Sequence, residues 1–249
     1  MKRNGKKYAD SHIRNSCPVL MSEWSGGTGF FYKSEGDIYL VTAKHNIIPE
    51  NKSLTHPVMQ YSPQIQVLLR STSRKAWEKN RIDIRERRVF FKEYIDAIAI
   101  PVDFDPKKYN YEVYNSGDIQ SVNKIKSRSG NLLSMGFDEG SLSRWEMEDV
   151  DYTDPGEPRM ISLSNPRKET KNYYRAIDIH NSGDCRGVSG APILEKGLVG
   201  ILVGQRDSNI LFTKAGALPE ILNSPREIVE ESPMEAFVKN VRRSTAGGD

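Results

Sequence analysis

Apolar residues in this chain come in short runs that alternate with polar ones, the period-two signature of half-buried β-strands. Residues 30–33 and 37–42 are two such runs, joined by Ser34-Glu35-Gly36-Asp37, whose turn formers predict a hairpin. The second run ends at Thr42-Ala43-Lys44-His45, which places His45 just past a buried strand on a short helical turn. Further strand-like runs fall at 64–69, 81–84, 89–91 and 93–101. Residues 101–116 are polar and tyrosine-rich and read as a connection. A second series follows at 131–135, 143–150, 160–164, 173–180, 191–194, 198–203 and 210–213. Two halves with about half a dozen short strands each predict two packed β-barrels.

The end of the chain changes pattern. Ser224-Pro225-Arg226-Glu227 and Ser232-Pro233-Met234-Glu235 each offer Ser as N-cap, Pro at the first helical position and Glu at the third. Two short helices are expected, over 225–231 and 233–243, with Phe237, Val238 and Val241 on the buried face of the second. The chain then divides into an arm (1–20), a first barrel (21–105), a second barrel (106–215) and a helical segment (216–249).

Composition narrows the classes. The 249 residues are 37% hydrophobic and 28% charged, in keeping with a globular protein and not with a disordered one. No apolar window approaches the length of a membrane-spanning helix, and no apolar run follows the basic residues of the arm, so neither a membrane partner nor a secretory leader is expected. Cys17 and Cys185 are the only cysteines, too few for a disulfide framework or a zinc site. A cytoplasmic protein with free thiols is expected. The net charge of +3 comes largely from basic tails, which predicts no nucleic-acid partner.

The stretch at 182–194, SGDCRGVSGAPIL, carries the chemistry. Ser189 lies between Gly187 and Gly190 and leads into an apolar run, as a nucleophile on a tight turn would. Gly187 can adopt positive φ, which lets its N–H aim alongside that of Ser189 as an oxyanion hole. A serine nucleophile needs a base and a carboxylate to orient that base. Of the four histidines, His12 lies in the arm, His56 precedes Pro57 and His180 lies upstream of the serine loop; His45 alone follows a strongly apolar strand. Asp96 is an acid with apolar neighbours on both sides, costly to bury unless it accepts hydrogen bonds.

The order His45, Asp96, Ser189, with Gly27-Thr28-Gly29-Phe30, Thr42-Ala43-Lys44-His45, Gly187-Val188-Ser189-Gly190-Ala191-Pro192 and Leu198-Val199-Gly200-Ile201, resembles the chymotrypsin/trypsin-like serine peptidases. The likeness spans roughly residues 24–215 and is nearest to compact, disulfide-free bacterial members. It implies an all-β fold of two six-stranded antiparallel barrels with C-terminal helices, and a serine endopeptidase acting on protein or peptide substrates. By that resemblance His45 is the base, Asp96 its orienting acid and Ser189 the nucleophile, with Gly187 and Ser189 forming the oxyanion hole. Val203, Gly204 and Gln205 would bind the substrate backbone as an added strand, and Cys185, Arg186, Val203 and Asn209 would surround the primary pocket. It calls for no cofactor and no metal, and leaves a regulatory protein partner open.

Three features depart from the pattern. The acid is followed by Ala97-Ile98-Ala99, Val188 stands where zymogen-type members have aspartate, and Ala191 replaces a glycine. No acid sits clearly at the pocket base, Asp184 being the nearest, so a preference for Lys or Arg is not implied. An α/β-hydrolase is excluded because no histidine follows Ser189. The remaining alternative is a catalytically silent fold of the same kind, used as a peptide-binding or scaffold module.

Overall fold

The computed structural model describes residues 19–21, 26–48, 64–70, 77–84, 87–125, 132–137, 159–179 and 185–227. Within these, strands dominate, and they fall into two sheets.

The first sheet opens with β1 (Val19–Met21), β2 (Gly26–Ser34) and β3 (Asp37–Thr42). It continues with β4 (Gln64–Arg70), β5 (Trp77–Asp83), β6 (Arg88–Phe91) and β7 (Ile98–Pro101). β2 and β3 form the expected hairpin, in register from Gly29 opposite Thr42 to Ser34 opposite Asp37. β2 lies inside the sheet, paired with β1, β3 and the short parallel strand β8 (Val113–Tyr114), and six consecutive residues of it are buried. That explains its near-continuous apolar run. β1 starts at Val19, so the sheet begins within the stretch read as the arm.

The second sheet is a closed antiparallel barrel. Its strands are β9 (Leu132–Gly136), β10 (Arg159–Lys168), β11 (Tyr173–Asp178), β12 (Pro192–Leu194), β13 (Leu198–Arg206) and β14 (Asn209–Lys214). β11 alternates buried and exposed residues along Tyr174–Asp178, as a strand with one face on a core must.

Three apolar clusters hold the molecule together. Phe31, Leu40, Ile65, Val67 and Ile82 fill the first sheet, and Ile161, Val188, Ile193, Val199 and Phe212 fill the barrel. The third joins the halves: Phe30, Val41, Ile95 and Ala97 pack with Met135, Phe137, Leu198 and Ile201, and with Leu218 and Ile221 of α1 (Leu218–Leu222).

Two expectations are corrected here. Residues 101–116 are not a bare connection, because Tyr111 and Tyr114 are buried and β8 pairs with β2. Edge-to-face contacts of Phe31 with Tyr111 and of Phe30 with Tyr114 fix this segment to the first sheet. The helix expected over 225–231 does not start at Pro225. Pro225–Glu227 is strand β15, paired with the edge of β6 through Arg226 opposite Val89. Ser224 Oγ donates to the Glu220 carbonyl at 3.2 Å and so is turned back onto α1 rather than forward as a cap. The pairing available at the β6 edge overrides the local capping signal. The stretches at 143–150 and 233–243 lie outside the described residues.

Candidate active site

β3 delivers His45 onto a 3-10 turn, Lys44–Asn46, directly after the last buried residues of the strand. Asp96 lies in the bend between β6 and β7, two residues before Ile98 begins β7, and is not itself part of a strand. Ser189 lies in the turn ahead of β12. The fold brings these three together from both halves. Ser189 Oγ is 2.8 Å from His45 Nε2, and His45 Nδ1 is 2.7 Å from Asp96 Oδ2. The second carboxylate oxygen, Oδ1, accepts the His45 backbone N–H at 3.0 Å. Both oxygens of Asp96 therefore face one residue, which fixes the imidazole plane. The side chains of His45 and Asp96 retain 32% and 16% exposure, open enough for a substrate to reach the histidine.

The serine turn has unusual backbone. Gly187 and Gly190 have φ of 84° and 92°, where a side chain is strained. A Cβ on Gly190 would also meet the Thr28 carbonyl oxygen at 2.0 Å. Within the turn, Val188 N–H donates to the Cys185 carbonyl, Gly190 N–H to Leu202 and Ala191 N–H to Val188. The N–H groups of Gly187 and Ser189 have no such acceptor among the described residues.

A buried polar group holds this turn from behind, and sequence reasoning missed it. Thr28 N–H and Asn46 Nδ2 both donate to the Ser189 carbonyl at 2.9 Å. Thr28 Oγ1 donates to the Gly187 carbonyl at 3.1 Å. Thr42 Oγ1 donates to the Thr28 carbonyl at 2.7 Å and accepts from Asn46 Nδ2 at 3.0 Å. The only sequence signals were a Thr inside the run Gly27–Phe30 and an Asn directly after His45.

The cleft beside Ser189 encloses about 430 Å³ and is lined by His45, Cys185, Arg186, Ser189, Val203, Gly204, Gln205 and Asp207. Asn209, expected at this pocket, is not in its lining, and Asp207 is. The ladder between β13 and β14 shifts register between Leu202 and Gly204, and the following turn places Asn209 opposite Arg206 at the start of β14. Asp207, at φ 55° in that turn, enters the lining instead. Gln205 links two other lining residues: its Oε1 accepts the Cys185 N–H and its Nε2 donates to the Asp207 carbonyl, both at 2.9 Å. His12, His56, His180 and Asp184 lie outside the described residues.

No known family profile and no curated protein sequence matches the chain. Solved structures do. The active form of the Rv3671c protease from M. tuberculosis superposes with a TM-score of 0.54 at 11% identity, over 86% of this chain and 82% of that one. Catalytically inactive tobacco etch virus protease complexed with substrate gives 0.52 at 12%, over 86% and 84%. The HtrA-type protease AlgW with tripeptide gives 0.54 at 15%, over 87% and 62%. The fold is chymotrypsin-like. His45 and Asp96 come from the first β-unit and Ser189 from the second, and the three meet where those units face each other. Identity this low establishes the architecture, so the chemistry has to come from the site itself.

Proposed function

We propose that this protein is a serine endopeptidase that cleaves protein or peptide substrates through an acyl-enzyme. The observation that carries the reading is the unbroken chain Ser189 Oγ, His45 Nε2, His45 Nδ1, Asp96 Oδ2, with links of 2.8 and 2.7 Å. Such a chain serves proton transfer. With Nδ1 protonated and donating to Asp96, Nε2 presents a lone pair to the Ser189 hydroxyl. As Oγ attacks the scissile carbonyl carbon, its proton passes to Nε2, and Asp96 stabilises the resulting imidazolium. The negative charge gathers on the former carbonyl oxygen, where the N–H groups of Gly187 and Ser189 would donate to it. Collapse breaks the C–N bond and Nε2 returns its proton to the leaving amine. Water then repeats the sequence on the ester, releasing the acid and restoring Ser189.

The rest of the cleft suits a peptide. Val203, Gly204 and Gln205 lie along one wall, and an extended substrate could add there as a strand. Gly204 has open space where a side chain would stand. Arg186 and Asp207 put opposite charges at the lining, which gives no basis for a trypsin-like preference. No step of this mechanism requires a metal or cofactor.

Reaction with a fluorophosphonate probe tests the reading. The intact chain should be labelled, and peptide mapping should find the adduct on Ser189. Ser189→Ala should fold, resist labelling and lose about six orders of magnitude in peptide turnover. A folded wild-type chain that takes no label would instead be a silent module of this fold. Cys185→Ser should keep its activity, since the buried thiol is no part of the proton chain.

A further inference from the structure

The bend that carries Asp96 is tied to three other elements. Lys44, beside His45, donates from Nζ to the Glu93 carbonyl at 2.7 Å. Tyr94 donates its hydroxyl to Glu220 Oε1 on α1. Tyr173, the first residue of β11, accepts the Asp96 backbone N–H on its hydroxyl oxygen at 2.6 Å. Only the last of these contacts reaches Asp96 itself, and it comes from the second barrel.

Both carboxylate oxygens of Asp96 are already engaged with His45, so the orientation of that carboxylate depends on where its backbone is held. Tyr173 is a firm support. Its own N–H donates to Thr170 Oγ1 at 3.2 Å, and its carbonyl accepts from Glu169 at 3.0 Å and Thr170 at 3.1 Å. It also pairs with Thr213 in the barrel ladder. At this half-buried position water could satisfy the Asp96 N–H, but water would not fix its direction. An oxygen on a rigid ring, rooted in a strand, does.

We propose that Tyr173 is a positioning residue: its hydroxyl holds the Asp96 peptide against the second barrel and thereby aligns Asp96 and His45 with Ser189. The catalytic consequence rests on the serine-peptidase reading above; the effect on His45 does not. The Tyr173 hydroxyl meets the site at the Asp96 N–H, so its influence on the reacting atoms runs through Asp96. Displacements of a fraction of an ångström at such groups are costly, since a misplacement near 1 Å can cost about 100-fold in rate.

Tyr173→Phe in the full chain removes the hydroxyl and keeps the ring. The first readout is NMR of the His45 imidazole, which needs no turnover. With Asp96 less well aligned, the imidazolium is less stabilised, so the His45 titration midpoint should move to lower pH and its Nδ1 proton signal should weaken. Among the described residues, the titratable or charged groups beside His45 or sharing its cleft are its neighbour Lys44, its partner Asp96, and Cys185, Arg186 and Asp207; all are unchanged in the variant. The second readout is the pH profile of peptide cleavage. Its plateau should fall about tenfold or more in kcat with KM unchanged, and its acid limb should move with the His45 midpoint. A His45 midpoint identical to that of the parent overturns the proposal, even if the variant melts at a lower temperature, because that is what a merely structural hydroxyl would do. A shifted midpoint in a chain that takes no fluorophosphonate label would uphold the positioning role and refute the peptidase.

Discussion

The turn that carries Ser189 and the bend that carries Asp96 differ in where their polar contacts lie. The serine turn is part of the core. Thr28 and Thr42 are fully buried, Asn46 nearly so, and Val188 packs among the apolar residues of the barrel. The aspartate bend is anchored in the central cluster by Ile95 and Ala97, but its outer polar contacts face solvent: the Lys44 contact is exposed, and Tyr94 is 54% exposed. A buried polar network is costly when broken and therefore rigid when whole. A solvent-side set of contacts is cheap to alter and adds little to folding. The position of the nucleophile is thus tied to a buried polar network, whereas the polar contacts that orient the acid can be altered without unfolding the protein.

Asp96→Asn gives the largest effect by which to test that difference. It should fold with a melting temperature near the parent's, yet lose about four orders of magnitude in kcat, because the amide favours the wrong imidazole tautomer. Loss of the fold alongside activity would show that the bend is structural after all. Gly190→Ala should do the reverse. Its new Cβ meets the Thr28 carbonyl at 2.0 Å and Thr42 Oγ1 at 2.2 Å, on backbone at φ 92°. Destabilisation of about 3 kcal/mol or more is expected in chemical denaturation. Thr42→Val is milder. It deletes a donor to the Thr28 carbonyl and an acceptor for Asn46, both buried, and should cost about 1–3 kcal/mol. Activity per folded molecule should fall with it, since the Ser189 carbonyl is held by the same Asn46.

The same contrast explains what could be read from the chain. Ser189, His45 and Asp96 each stood out locally: a serine between glycines, a histidine ending an apolar strand, an acid within an apolar run. The halves of the network behind Ser189 did not. Asn46 and Ser189 are 143 residues apart, and each Thr of the network looks like an ordinary strand residue. Tyr173 was hidden for a similar reason, since nothing in a strand's alternation tells where its terminal hydroxyl reaches. The tyrosines of 101–116 were misread because their hydroxyls suggested a polar linker, while the Tyr111 ring enters the first-sheet core and the Tyr114 ring the cluster that joins the halves. Pro225–Glu227 carried a genuine helix-start pattern, and only the β6 edge, distant in sequence, decided against it.

The smallest expected effect lies at the outer end of the aspartate bend. The Glu220 carboxyl is held below its ordinary value, chiefly by the hydrogen bond from Tyr94, with Lys171, Lys92 and Lys214 adding attraction. The Tyr94 hydroxyl is raised, first by that same bond and then by desolvation and the Glu220 charge. A depressed carboxyl contributes stability above its unfolded value and loses it as pH falls through the folded one. A raised phenol contributes below its unfolded value and loses it as pH rises through the folded one. The pair thus supports the fold across the neutral range and fails at both ends. Both groups are solvated, so thermal melts of Tyr94→Phe should differ little from the parent at pH 7, and the gap should close further in acid and in strong alkali. Peptide turnover should be unchanged, since Tyr173 and not Tyr94 holds the Asp96 N–H. If Tyr94→Phe instead slowed turnover as far as Tyr173→Phe, the bend would be moving as one body, and alignment of the acid would depend on α1 as much as on the second barrel.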